Sequence, residues 1–171
     1  MAGVVRVTNV VATAQLGCDL DLCHLERTLP MALYTPKRFS ALLIRIVHPS
    51  KAHCQVYRNG KMTINGGKTL EEARHLANVF TGMIKKAGYP AVLASYTIVN
   101  LIGSLDMGRP LHLEEISHSL KASYSPELFC GLRVRLSFCS AVIFHSGKVN
   151  LLGAKNLSDL ETAEVELNIL L

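Results

Sequence analysis

The chain has 171 residues and a mass of 18.7 kDa, with 49% hydrophobic, 18% charged and 6% aromatic residues and no Trp. That composition excludes a disordered or collagen-like chain, and folding at this length buries roughly 70% of the surface, so no disulfide or metal staple is needed. Net charge is +5 but uneven: residues 1–90 hold 12 basic and 5 acidic side chains, net +7, and residues 91–171 hold 6 and 8, net −2.

Val4 to Thr13 is rich in β-branched residues and predicts a strand. Asp19 to Leu29 predicts a short helix, with Asp19 as N-cap and Pro30 just beyond its end. Ala41 to Val47, Ala52 to Tyr57 and Lys61 to Gly66 predict strands, the last two joined by a hairpin turn at Arg58–Gly60. Thr69-Leu70-Glu71-Glu72 reads as a capping box opening a long amphipathic helix to about Ala87. The remainder repeats this order, with a turn at His145–Gly147 and a shorter last helix opened by Ser158-Asp159-Leu160-Glu161. No apolar run reaches about 18 residues, so no membrane partner is expected. The start, MAGVVRVTNV, has no apolar core with a cleavage site, so no secretion signal is expected.

Three segment pairs recur in the same order, about ninety residues apart. YTPKRFSALLIRI (34–46) matches YSPELFCGLRVRL (124–136), YRNGKMTINGGK (57–68) matches FHSGKVNLLGAK (144–155), and VTNVVAT (7–13) matches IVNLIGS (98–104). Conserved order argues for a tandem duplication joined near Gly88 to Ala94, with halves 1–90 and 91–171. Period-two reading puts Met62 and Ile64 on one face of their strand and Lys61, Thr63 and Asn65 on the other. Val149 and Leu151 likewise oppose Lys148, Asn150 and Leu152. The apolar parity must pack on the long helices, which leaves the other face of a broad antiparallel sheet open to a large ligand.

Catalysis is not expected. NGGK (65–68) lacks the spacing of a phosphate-binding loop, and no paired carboxylates or Ser/His/Asp set stands out. Cys18, Cys23, Cys54, Cys130 and Cys139 form no CxxC pair, which fits a reduced compartment. Cys23-His24 and His53-Cys54 lack a second ligand pair at zinc spacing, so neither a metal nor a cofactor is expected.

The duplicated pattern, with VTNVVAT, LGCDLDL, YTPKRFSALLIRI, GKMTINGGK, YSPELF and IFHSGKVNLLGAK in order, resembles the core domain of the TATA-binding protein family over essentially the whole chain. The resemblance implies an α+β saddle: a curved ten-stranded antiparallel sheet with four helices on its convex face. It implies a nuclear initiation factor that binds and bends double-stranded promoter DNA through the minor groove. The implied partners are initiation factors of the IIA and IIB type and TATA-binding-protein-associated factors, with no small-molecule substrate. A protein-interaction scaffold that holds initiation factors without reading DNA is the alternative.

Four wedge positions carry over, Phe39 and Tyr57 in the first half and Phe129 and Phe144 in the second, where a flat apolar plate replaces base stacking. Tyr57 stands where the family has Phe. Asn9 and Asn100 are expected at the centre, where an amide donates to the acceptors of A·T pairs, with Val11 and Ile102 in flat apolar contact beside them. Further groove-facing positions are Ser40, Gln55, Thr63, Asn65, Cys130, Val142, Asn150 and Leu152. Thr63 and Asn150 replace the family's Val, Asn65 and Leu152 its Thr, Gln55 an apolar residue, Ser40 an Ala and Cys130 a Pro. Misfits of this kind cost on the order of 1–3 kcal/mol each, so relaxed TATA preference is expected. Arg38, Arg45, Lys61, Lys68, Arg135, Lys148 and Lys155 are the expected phosphate contacts. Glu127 and Leu128 replace the basic Lys37-Arg38 pair of the first half and become partner-contact candidates, as do Lys85 and Lys86 near the end of the first long helix.

Overall fold

The computed structural model describes residues 3–171. The chain divides into two compact units, one of Asn9–Val99 and one of Asn100–Leu171 with the described residues up to Thr8. The elements in chain order are β1 (Arg6–Gln15), α1 (Leu22–Thr28), β2 (Ala32–Tyr34), β3 (Leu42–Ile46), β4 (Ala52–Val56), β5 (Lys61–Gly67) and α2 (Leu70–Lys86). They continue with β6 (Ser95–Asp106), α3 (Leu113–Ser119), β7 (Gly131–Arg135), β8 (Ser140–Phe144), β9 (Lys148–Ala154) and α4 (Leu157–Leu170).

In the Asn9–Val99 unit the strands run β2-β3-β4-β5-β1, each antiparallel to its neighbour. Alternation decides their faces. The register aligns Ile44, Cys54, Ile64 and Ala12 across four strands, and all four are buried. α2 lays Leu76, Ala77, Phe80 and Ile84 onto this face. The helix comes so close that a Cβ on Gly67 would lie 2.8 Å from the Ala73 nitrogen. Burying side chains such as Phe80 and Leu76 contributes roughly 1.5–3 kcal/mol each.

The Asn100–Leu171 unit repeats the scheme in the order β6-β9-β8-β7. Val149 and Leu151 are buried while Lys148, Asn150 and Leu152 are exposed, as the alternation predicts. α4 covers the buried parity, with Leu160 packed over Gly103.

The described residues hold nine strands, not ten. The missing one is the counterpart of β2. After α3, Lys121 takes a left-handed φ of 49°, and the N–H groups of Lys121 and Ala122 donate to His118 and Ser117. That six-to-one bond closes the helix end, and residues 122–125 then run on without strand pairing, although Met31 takes the same left-handed turn, φ 62°, just before β2.

Helix starts shift by two residues in two places. Asp21, not Asp19, caps α1: its carboxylate accepts from the N–H of Cys23 at 2.9 Å and of His24 at 3.1 Å. The His24 N–H holds this carboxyl below its usual range. Asn156, not Ser158, caps α4, because its side chain accepts the Asp159 N–H at 2.9 Å. Thr69 caps α2 as expected, accepting the Glu72 N–H at 3.0 Å, but the Glu72 carboxylate returns to the Lys68 N–H at 2.8 Å rather than to Thr69. Asp159 makes the same 2.8 Å return to the Lys155 N–H.

Among the described residues no helix is long and apolar enough to cross a membrane, and no cluster of His, Cys, Asp or Glu could hold a metal ion. His24 bonds instead to the Tyr89 hydroxyl at 3.2 Å. Cys54 is buried, and burial pushes its thiol up.

Candidate nucleic-acid interface

The face opposite the helices is built from matched rows. In the Asn9–Val99 unit, Leu43, Gln55, Thr63 and Thr13 align across β3, β4, β5 and β1, beside a row of Arg45, His53, Asn65 and Val11. In the other unit the rows are Arg133, Val142, Asn150 and Ser104, then Arg135, Ser140, Leu152 and Ile102. These residues are exposed or half-buried except Val142, which lies under the neighbouring aromatic rings.

One aromatic pair sits at the same place in each unit. Phe39 and Phe129 follow short turns in which their N–H groups donate to Thr35 and Ser125. Tyr57 directly follows β4, and Phe144 ends β8, each at its hairpin turn. The rings of Phe39 and Tyr57 stand edge to face with centroids 6.4 Å apart at 65°; those of Phe129 and Phe144 stand 6.3 Å apart at the same angle. Phe39 and Phe129 remain 43% and 40% exposed, far outside the range of a core ring. Such edge-to-face geometry is a favoured arrangement of two rings, worth about 0.5–1.5 kcal/mol beyond burial.

Each central Asn has a structural cause. The β1–β5 register slips between Val10 and Val11, leaving Gly66 as an extra residue with φ of 132° and its N–H outside the ladder. Asn9 Oδ1 accepts that N–H at 3.0 Å. The slip recurs between Leu101 and Ile102, where Gly153 has φ of 97° and donates to Asn100 Oδ1 at 3.0 Å. Because a backbone N–H can only donate, it fixes the orientation of each amide, and the Nδ2 donors have no partner among the described residues.

The expected phosphate contacts Arg38, Arg45, Lys61, Lys68, Arg135, Lys148 and Lys155 are all exposed. Arg135 donates to Ser140 Oγ at 3.2 Å, and the backbones of Lys68 and Lys155 are pinned by Glu72 and Asp159. Ser40 and Cys130 sit exposed beside their Phe. Glu127 and Leu128 lie on the loop before Phe129, with Leu128 84% exposed. Lys85 and Lys86 occupy the last turn of α2, on the covered side of the strands. Sequence reading missed Leu43, Thr13, His53, Arg133, Ser104 and Ser140. Extending the period-two count into β3 and β7 would have found Leu43 and Arg133.

The fold defines an internally duplicated α+β protein in which strands carry one covered and one open face. Comparison with known proteins gives its membership. The family model described as transcription factor TFIID, or TATA-binding protein, matches residues 4–87 and 95–170. A TATA-box-binding protein of Acetabularia peniculus is 37% identical over 162 residues, covering 92% of this chain and 84% of that one. The TATA-box-binding protein of Xenopus tropicalis and a TATA box-binding protein-like 2 of Danio rerio are each 38% identical over 162 residues. The chain spans about half the length of these two vertebrate relatives, 54% and 52%. The solved structure of Methanococcus jannaschii TBP superposes with a TM-score of 0.88 at 29% identity, over 98% of this chain and 97% of that one. The chain belongs to the TATA-binding protein family, a family of transcription factors and not of enzymes.

Proposed function

We propose that the protein is a nuclear transcription initiation factor that seats on promoter DNA through the minor groove and bends it, with relaxed preference for TATA sequence. The observation that carries this reading is the matched edge-to-face aromatic pair on the open side of each unit, accompanied in each by an Asn amide that its bulge glycine orients. Phe39 with Tyr57 and Phe129 with Phe144 act as wedges between base steps. Asn9 and Asn100 donate to A·T acceptors, flanked by Val11 and Ile102, while the seven exposed cations hold phosphates and set register. Gln55, Thr63, Asn65, Asn150 and Leu152 alter the groove-facing chemistry and loosen sequence choice. Initiation factors of the IIB type meet the Glu127–Leu128 loop, and IIA-type or TATA-binding-protein-associated factors meet the α2 side at Lys85 and Lys86.

The test is binding to a TATA duplex and a scrambled duplex at one salt concentration, with end-to-end energy transfer reporting the bend. Phe129→Ala with Phe144→Ala is expected to remove the bend while weak phosphate-driven binding persists. An unchanged bend in that double variant would take the wedge role from these rings. The polar Gln55 and Asn150 on the open face favour one other reading, a scaffold that holds initiation factors without reading DNA. No binding to either duplex, with partner capture intact, would establish that second reading.

A further inference from the structure

We propose that Arg133 is a base-edge contact acting together with Phe129, which makes the Asn100–Leu171 unit select A·T pairs beside the step that its wedge opens. The proposal rests on the reading of this face as a minor-groove surface.

Arg133 lies on β7, exposed, with its guanidinium carbon 5.0 Å from the centre of the Phe129 ring. The ring therefore carries a planar cation against it, while the Phe144 ring meets it edge to face. Arg133 belongs to the open row with Val142, Asn150 and Ser104, and to the groove of about 820 Å³ that Asn100, Phe129, Phe144 and Leu152 also line. None of its N–H donors has a hydrogen-bond partner, and no carboxylate pairs with it, among the described residues. Its neighbour Arg135 is tied to Ser140. The matching place in the other unit holds Leu43, so this cation is a property of one wedge only.

Stacking on the ring confines the guanidinium to the place where the ring meets the bases. In the minor groove an A·T pair shows only the acceptors N3 and O2, which suit guanidinium donors. A G·C pair adds the guanine N2 amine, which opposes them. A narrow A·T groove also concentrates negative potential, which draws Arg inward. A phosphate contact needs only charge, whereas this arrangement supplies a stacked, forked donor.

The experiment measures affinity of the full chain for an A·T-rich duplex and for a series in which a single G·C pair steps through the site, at two salt concentrations. 2-Aminopurine fluorescence, compared between the protein and Phe129→Ala, locates the wedged step. The unaltered protein is expected to lose about tenfold when the G·C pair lies beside that step. Arg133→Leu, which installs the side chain of position 43, is expected to erase that loss there and leave the other positions unchanged. Arg133→Lys is expected to keep the salt slope and also erase it, which controls for charge alone. Thermal unfolding confirms that both variants fold. A uniform fall on every duplex with the salt slope reduced by about one would make Arg133 a phosphate contact and overturn the proposal. No change in Arg133→Leu would also overturn it while leaving the DNA reading intact. Failure of the unaltered protein to bind any duplex would remove both.

Discussion

Asn9 and Asn100 each commit one end of the side-chain amide and leave the other free among the described residues. Oδ1 satisfies the glycine N–H that a strand bulge leaves outside the ladder, and Nδ2 is thereby aimed away from that bond. Asn100→Asp keeps an acceptor for Gly153 but replaces the donor with a second acceptor. Thermal stability is expected to stay close to that of the native chain while affinity for an A·T duplex falls by roughly five- to a hundredfold in an anisotropy titration, since a lost base-edge donor is worth about 1–3 kcal/mol. Equal affinity would mean that the amide serves the bulge alone. Asn150 and Leu152 are exposed on the same face of their strand. Asn150→Val with Leu152→Thr is therefore expected to raise the ratio of TATA to scrambled affinity, read from isotherms at fixed salt.

The helix caps are the element-scale devices that tie the covered face to the open one. Glu72 and Asp159 sit in the first turns of α2 and α4, yet each binds the backbone N–H of the lysine that leaves the preceding strand. Helix entry thus fixes the path of Lys68 and Lys155. Asn156→Ala removes the cap of α4 and costs about 1 kcal/mol. For a chain of this size that corresponds to a fall of roughly 2–4 °C in Tm, measurable by calorimetry. The same change is expected to weaken duplex binding less than Lys155→Ala does, because it loosens a positioned charge without deleting it. The hairpins act similarly on the wedges: each ends at a ring, Tyr57 or Phe144, so turn geometry sets where that ring stands.

For the whole molecule the governing quantity is charge. Seven exposed cations at the expected phosphate positions predict that log affinity falls with log salt at a slope of about −6, at roughly −0.9 per phosphate. Lys61→Ala with Lys68→Ala is expected to make that slope shallower by about two. Lys85 and Lys86 lie on the helix side of their unit, where they also suit the negative end of α2. Lys85→Glu with Lys86→Glu is expected to leave duplex affinity unchanged and to weaken pull-down of an acidic-surfaced initiation factor. Loss of DNA affinity in that variant would place the two lysines at the DNA.

The duplication, the order of elements and the split of faces were legible in the chain, because periodicity and repeated turn residues are local signals. Met62 and Ile64 against Lys61 and Thr63 need only the period of two. The four aromatics Phe39, Tyr57, Phe129 and Phe144 were legible as matched positions, and the wedge role proposed for them came from the family resemblance and not from their pattern. Other features depended on the folded chain. A bulge at Gly66 is a property of two strands in register, so the purpose of Asn9 Oδ1 could not be read from either strand alone. Tyr34 and Tyr124 stand at matched places in the sequence, yet only residues 32–34 pair as a strand, and Asp19 and Asp21 compete as caps on nearly equal local terms. The position of Arg133 against Phe129 was invisible for the same reason: adjacency across a turn and a strand is decided by packing, and only the tertiary structure brings those two side chains together.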